Sequence, residues 1–260
     1  MLYNNVEHKI ISSAPRKIVF ACDSIYFMKY AKYLLKSCEV TKQPAHVHLL
    51  SNDSEIISVA EEFCQGLNIE CSLSVESFDH TTYYVTELSS YYFMARYFSA
   101  SDLFNNFNLE EAIIVDSDIM VKKIIQLPEN KNIAFMFRPN RPTLFQQSNG
   151  NLFCIKKERL SFIEKMIKSY KIKFNNTDWE SIDAMKNRSL KKDSYGLDQV
   201  CISEIAHETE LLNDSAFLNF KKKVASKSIN HKKSLIWTFT GIKSEELDDQ
   251  LKELSYEKVK

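Results

Sequence analysis

The sequence predicts an α/β domain built on a mainly parallel sheet with helices on both faces. Short strand-like runs alternate with longer amphipathic stretches through the first 115 residues, the pattern of strands linked by crossover helices. Of these runs, AIIV (112–115) is apolar throughout, as strands covered on both faces are. Two of them end directly in carboxylates, at the strand ends where open α/β sheets bind ligands.

Residues 17–22 (KIVFAC) read as a buried strand, followed at once by Asp23-Ser24. Residues 25–38 (IYFMKYAKYLLKSC) fit a helix. HVHLL (46–50) is a second strand, Ser51-Asn52-Asp53 offers caps for the next helix, and Gly66 can close it. IECSLSV (69–75) is a third strand, and residues 88–104 form a long aromatic helix. AIIV (112–115) runs straight into Asp116-Ser117-Asp118, with further strands expected at 132–137 and 151–155 and helices at 157–170 and 195–207. The tail has Leu247, Leu251 and Leu254 at helical spacing, with an acidic start and a basic end that suit the helix dipole.

The 260 residues are 44% hydrophobic and 26% charged. They are read as one domain over 1–260, with a core of about 17–243 and a C-terminal helix of about 244–258. Lys plus Arg and Asp plus Glu both number 34. That balance lacks the basic excess of a nucleic-acid binder, so none is expected as a partner. The first residues have no apolar signal segment, and no apolar run reaches the ~20 residues of a membrane helix. The six cysteines (Cys22, Cys38, Cys64, Cys71, Cys154, Cys201) form no CxxC pair and read as reduced thiols of a cytoplasmic protein. No residue pattern specifies an oligomeric state.

Four apolar residues followed by Asp-x-Asp are the strongest local signal. Two carboxylates two residues apart at a strand end suit a hard divalent cation, Mg²⁺ or Mn²⁺, with positions left for phosphate. Such a cation would neutralise a diphosphate leaving group. The plainer alternative is an acidic turn closing a strand. Asp23 and Tyr26, at the first strand end, suit a base and ribose, and Asp23 equally suits a helix cap. Arg96 lies among core aromatics and needs an anionic partner, which a phosphate or an Asp would supply equally well. The aromatic positions from Tyr83 to Phe98 read as core rather than as a sugar-stacking platform. Lys221-Lys222-Lys223 and Lys232-Lys233 read as solvated faces, or as a peripheral contact with anionic lipid at the inner face of a membrane.

Taken in order, several stretches resemble glycosyltransferase family 8, a group with the GT-A fold that includes glycogenin and bacterial lipopolysaccharide galactosyltransferases. KIVFACDSIYFMKYAKYLLKSC is similar to its opening strand, Asp, Tyr and helix. SSYYFMARYFSASDLF is similar to its Arg-bearing helix, and AIIVDSDIMV to its Asp-x-Asp strand. SNGNLFCIKKERL, YGLDQVCIS and IWTFTGIK are similar to its Asn-Ser/Ala-Gly strand, Asp-Gln helix and terminal signature. The resemblance runs from about Lys17 to Lys243.

The resemblance implies a Rossmann-like GT-A domain with a C-terminal helical extension. It further implies a metal-dependent, retaining transfer of a hexose from a UDP-sugar to a hydroxyl of a glycan or lipid-linked acceptor. By the same resemblance, Asp116 and Asp118 bind Mn²⁺ or Mg²⁺, with Ser117 between them in the donor site. Asp23 and Tyr26 lie at the base, Arg96 near the diphosphate or donor sugar, and Ser148, Asn149 and Gly150 along that sugar. Asp198 holds sugar hydroxyls, Gln199 faces the anomeric carbon, and Gly241 and Lys243 close over the diphosphate.

Two departures stand out. The family's terminal signature begins with a His that ligates the metal, and Thr238 occupies that position; His231 or water are the alternatives. The Asn-Ser-Gly order is changed to Ser148-Asn149-Gly150. The missing imidazole keeps open a non-catalytic sugar-nucleotide-binding protein. Strand plus Asp-x-Asp also opens the Asp-nucleophile phosphatases, but near the N-terminus and followed by a hydroxyl residue, whereas Ile119-Met120 follow here.

Overall fold

Two apolar layers on either side of one sheet account for most of the buried surface. The computed structural model describes residues 3–185, 196–220, 225–226, 234–238 and 244–257. The strands of the sheet are β1 (Val6–Ile10), β2 (Arg16–Asp23), β3 (Ala45–Leu50), β4 (Cys71–Glu76), β5 (Glu111–Val115), β7 (Ile133–Phe137), β8 (Ser148–Lys156) and β9 (Phe217–Asn219). Their order is β1-β4-β3-β2-β5-β8-β7-β9. The central β4-β3-β2-β5 block is parallel, as the alternation predicts. β1 and β8 add antiparallel pairings, β7 runs antiparallel to β8, and β9 parallel to β7. A small sheet joins β6 (Ile119–Val121), β10 (Ala225–Ser226) and β11 (Ile236–Thr238) in the order β10-β11-β6.

The helices are α1 (Ser24–Tyr26), α2 (Lys32–Thr41), α3 (Ser54–Gln65), α4 (Val85–Asn106), α5 (Leu144–Gln147), α6 (Leu160–Asn176), α7 (Trp179–Ala184), α8 (Leu197–Glu208) and α9 (Ser244–Glu257). Residues of α2 and α3 pack with Ile18, Phe20, Val47 and Leu49 on one face of the sheet. Residues of α4, α6 and α8 pack with Val19, Ile114, Phe135 and Phe153 on the other. Successive strand residues point to opposite faces, so β2 alone feeds both layers. Phe135 stacks on Phe153 with centroids 4.9 Å apart.

Local chemistry explains the helix limits. Asp53 Oδ1 accepts the Glu55 and Ile56 N–H groups and caps α3. Gly66 closes that helix in an ordinary right-handed conformation. Asp183 in α7 caps α4 from a distance, accepting the Val85 and Thr86 N–H groups and the Thr86 hydroxyl. The helix expected at 25–38 is broken by a π turn over Phe27–Ala31, which buries Phe27, Tyr30 and Ala31 while Tyr26 stays 41% exposed. α9 lies against α2, with Leu247 buried among Tyr30, Met120 and Trp237. Trp237 therefore serves in packing. All six cysteines are free and buried. Among the described residues no helix is long and apolar enough to cross a membrane.

Sequence periodicity misses β1, β6, β9, β10, β11, α5 and α7. These elements are short or half-polar and gain their order from neighbours rather than from local pattern.

Candidate functional site

The parallel strands β2 and β5 end side by side, and their two acidic termini open onto one cleft of about 520 Å³. Six segments line it. Asp23 and Tyr26 come from the turn into α1, and Tyr92, Phe93 and Arg96 from α4. Asp116, Ser117 and Asp118 link β5 to β6. Gly150 and Asn151 come from β8, Gln199 from α8 and Thr238 from β11. Thr238 pairs with Ile119 across the small sheet, beside Asp118.

Asp23 lines the cleft and caps the helix at once. Its Oδ1 accepts the Tyr26 N–H at 2.7 Å. The Tyr26 phenol is held above its ordinary range, first by burial and then by the Asp118, Tyr30 and Asp23 charges around it. Tyr92 is raised by burial and by Asp23. A tyrosine in this cleft therefore stays neutral and donates a hydrogen bond.

The anionic partner that Arg96 needs is supplied twice by the protein. Its Nη1 pairs with Asp116 Oδ1, and its Nη2 donates to Asp198 Oδ2 at 3.0 Å. The Arg96 and Asp198 side chains are 4% and 1% exposed. Burial raises the Asp198 carboxyl, and the Arg96 charge opposes that shift. Among the described residues Asp198 Oδ1 and Arg96 Nε have no hydrogen-bond partner. Asp198 lies beneath the cleft rather than along it, one step behind the position its sugar-binding role implies.

Gly150 sits over this pair. A Cβ there would stand 2.8 Å from Arg96 Nη2 and 3.1 Å from Asp198 Oδ2, so only glycine allows strand and ion pair to approach so closely. Next to it β8 bulges: Phe135 pairs with Phe153, but Met136 pairs with Asn149. The Asn149 side-chain Oδ1 accepts the Asn151 N–H at 2.9 Å within the bulge. The irregularity breaks the simple alternation of the strand. Asn151 thus faces the cleft, while Asn149 and Ser148 face a separate groove. Gln199 touches both spaces. Its amide is satisfied when the NH₂ group donates to the Ser148 and Phe145 carbonyls, at 3.0 and 3.2 Å.

Of the predicted site residues, the fold gathers Asp23, Tyr26, Arg96, Asp116, Ser117, Asp118, Gly150, Gln199 and Thr238 around one cleft. Gly241, Lys243 and His231 lie outside the described residues. Reasoning from sequence missed Asn151, Tyr92 and Phe93. The two aromatics stand within a core-like run, and only their place on the helix circumference distinguishes them.

Among the described residues no group of three or more His, Cys, Asp or Glu gathers as a closed metal cage. Asp116, Asp118 and Thr238 offer oxygen donors along the same cleft. That donor set fits a hard cation of the Mg²⁺ or Mn²⁺ type, which accepts one or two carboxylates and takes its other positions from water and phosphate.

No protein-family profile and no curated protein matches this chain. Solved structures do. The chain is similar to the glycosyltransferase GlyE of Streptococcus pneumoniae TIGR4 with a TM-score of 0.52 and 13% identity, over 95% of this chain and 63% of GlyE. It is similar to the galactosyltransferase LgtC, crystallised with donor and acceptor sugar analogues, with a TM-score of 0.50 and 10% identity, over 91% of this chain and 95% of LgtC. The architecture is therefore the α/β fold of GT-A glycosyltransferases.

Proposed function

We propose that this chain is a metal-dependent glycosyltransferase of the family 8 type. It moves a hexose from a UDP-sugar to a hydroxyl of a glycan or glycolipid, with retention at the anomeric carbon. One convergence carries this reading: residues dispersed from Asp23 to Thr238 line a single cleft at the carboxyl ends of parallel strands. The glycosyltransferase neighbours in fold support the same class of reaction.

In this reading Asp116 and Asp118 hold the cation, with Thr238 beside them and Gly241 and Lys243 following in sequence to close over the diphosphate. The bound cation supplies positive charge against the departing diphosphate. Arg96 is a positioning residue, because its two terminal nitrogens are already committed to Asp116 and Asp198. It fixes the rotamer of Asp116, and Asp198 holds Arg96 in place from below. The half-exposed Tyr26 ring offers a stacking face for the base, with Asp23 accepting from it. Gly150 and Asn151 leave room and a polar group for the donor sugar. Gln199, steadied by the Ser148 and Phe145 carbonyls, turns its amide oxygen toward charge developing at the anomeric centre. An amide is too weak a base to activate an acceptor. The acceptor proton therefore passes to the leaving phosphate as the new C–O bond forms and the bond to phosphate breaks on the same face.

The test is donor hydrolysis with UDP-, GDP- and CMP-sugars, with Mn²⁺ and with EDTA, repeated with Asp118→Ala. The expected loss is at least ~100-fold, the scale of a principal electrostatic stabiliser. Activity that survives both chelation and substitution overturns the reading. The missing imidazole at Thr238 favours one second reading, a sugar-nucleotide-binding protein without turnover. UDP binding by calorimetry with no hydrolysis of any donor would establish it.

A further inference from the structure

Gln199, which lines the cleft, also lines a second groove of about 330 Å³ that neither Asp116 nor Asp118 borders. Its walls include Arg138, Arg141, Phe145, Ser148, Asn149 and Gln199. The two arginines are the first and last residues of the turn Arg138-Pro139-Asn140-Arg141. The Arg141 N–H donates to the Arg138 carbonyl at 3.1 Å, closing it. Proline in the second position and asparagine in the third favour such a turn, which brings its end residues to within about 7 Å.

Both ends of the turn are pinned to Gln147. The Arg138 N–H donates to the Gln147 carbonyl at 2.6 Å, and the Gln147 amide donates to the Arg141 carbonyl at 3.0 Å. The turn thus places two arginines of like charge on one groove. Among the described residues no carboxylate makes a salt bridge with either. Arg138 donates instead to the Met136 thioether, a weak acceptor. The chain carries as many acidic as basic side chains, so this like-charged pair is a local choice rather than an overflow of positive charge.

We infer that the Arg138–Arg141 turn is an oxyanion subsite that binds the phosphate or carboxylate of an anionic sugar, the acceptor of the transfer reaction. Its place as an acceptor subsite rests on the function proposed above, because Gln199 is taken there as the marker of the reacting carbon. Guanidinium forks match both oxyanions bidentately. Asn149 and Ser148 stand beside them with neutral groups suited to sugar hydroxyls. A neutral sugar would leave both arginine charges without an anion.

Calorimetric titration of the intact chain tests this directly, with glucose, glucuronate, glucose 6-phosphate and inorganic phosphate as probes. The wild type is compared with Arg141→Ala, an exposed position that leaves the turn bonds intact, and with Arg138→Ala/Arg141→Ala. Both anionic sugars are expected to bind at least ~10-fold tighter than glucose, the scale of one charge-assisted hydrogen bond. That advantage is expected to shrink in the single variant, vanish in the double variant and weaken with salt. Equal binding of charged and neutral sugars, or anionic binding that survives the double variant, overturns the inference. So does inorganic phosphate binding as tightly as glucose 6-phosphate, which marks an adventitious anion site. A parallel UDP titration separates the two proposals. Failure of UDP with retained, arginine-dependent sugar binding removes the transferase reading and leaves the subsite. The converse removes the subsite alone.

Discussion

Replacing Arg96 with Met tests the ion-pair network under the cleft. Met keeps the length and apolar body of the side chain, so the change removes charge more than volume. Asp198 would then be a carboxylate at 1% exposure with no cation beside it. Breaking a buried pair by removing one partner costs about 3–5 kcal/mol. For a chain of this size that lowers the melting temperature by about 6–20 °C, at about 2–4 °C per kcal/mol. Asp116 adds little, because it is 20% exposed and keeps solvent.

The pH dependence gives the sharper test. Burial already raises the Asp198 carboxyl, and losing Arg96 raises it further. A carboxyl raised in the folded state binds more protons there than in the unfolded chain. Stability then falls as pH rises from the ordinary aspartate range, about 3.9, through the raised value. The Arg96→Met penalty should therefore be largest at neutral pH and shrink as the solution is acidified and Asp198 takes up a proton. Adding Asp198→Asn should recover more than half of the loss at neutral pH. Thermal melts across pH 5–8 on the wild type, the single and the double variant decide the matter. A penalty that grows on acidification, or a double variant no more stable than the single, refutes the reasoning.

Gly150→Ala should weaken UDP binding by calorimetry and lower stability by about 1–3 kcal/mol, the range for overpacking, because the new methyl presses on a guanidinium pinned by two carboxylates. Unchanged binding and melting would show that Arg96 yields freely. Asp183→Ala should cost about 0.5–2 kcal/mol in chemical denaturation through loss of the α4 cap, and a variant as stable as the wild type would mean that water replaces the cap. His46 is buried between Ser72 and Ser74, and burial, with Lys17 and the neighbouring imidazoles adding to it, holds it well below its ordinary range. A histidine neutral in the fold but protonated when unfolded loses stability as pH falls below about 6.5. His46→Gln should flatten that slope in melts between pH 5 and 7, and an equally steep slope would place its origin elsewhere.

The central strands were readable because parallel strands buried on both faces leave unbroken apolar runs, as at Ile18, Val19 and Phe20 or at Ile113, Ile114 and Val115. The carboxylates at their ends were readable for the same reason: a charge placed directly after such a run marks the strand end. The edge strand β1 was not readable, because its alternate residues are exposed. The α7 cap on α4 was not readable either, because Asp183 acts on a helix start nearly a hundred positions away.

By itself, the sequence determined the alternating α/β architecture, the acidic strand ends and the need of a buried Arg96 for an anionic partner. Only the tertiary structure decided that the partners are Asp116 and Asp198, that Asn151 rather than Asn149 faces the cleft, and that Arg138 and Arg141 line one groove beside Gln199. Local patterns of burial are written along the chain, because each residue's polarity reports its own contact with solvent. Pairings depend on which distant segments meet, and a register break such as the three residues between Asn149 and Phe153, Gly150 among them, redirects side chains without leaving a mark in hydropathy.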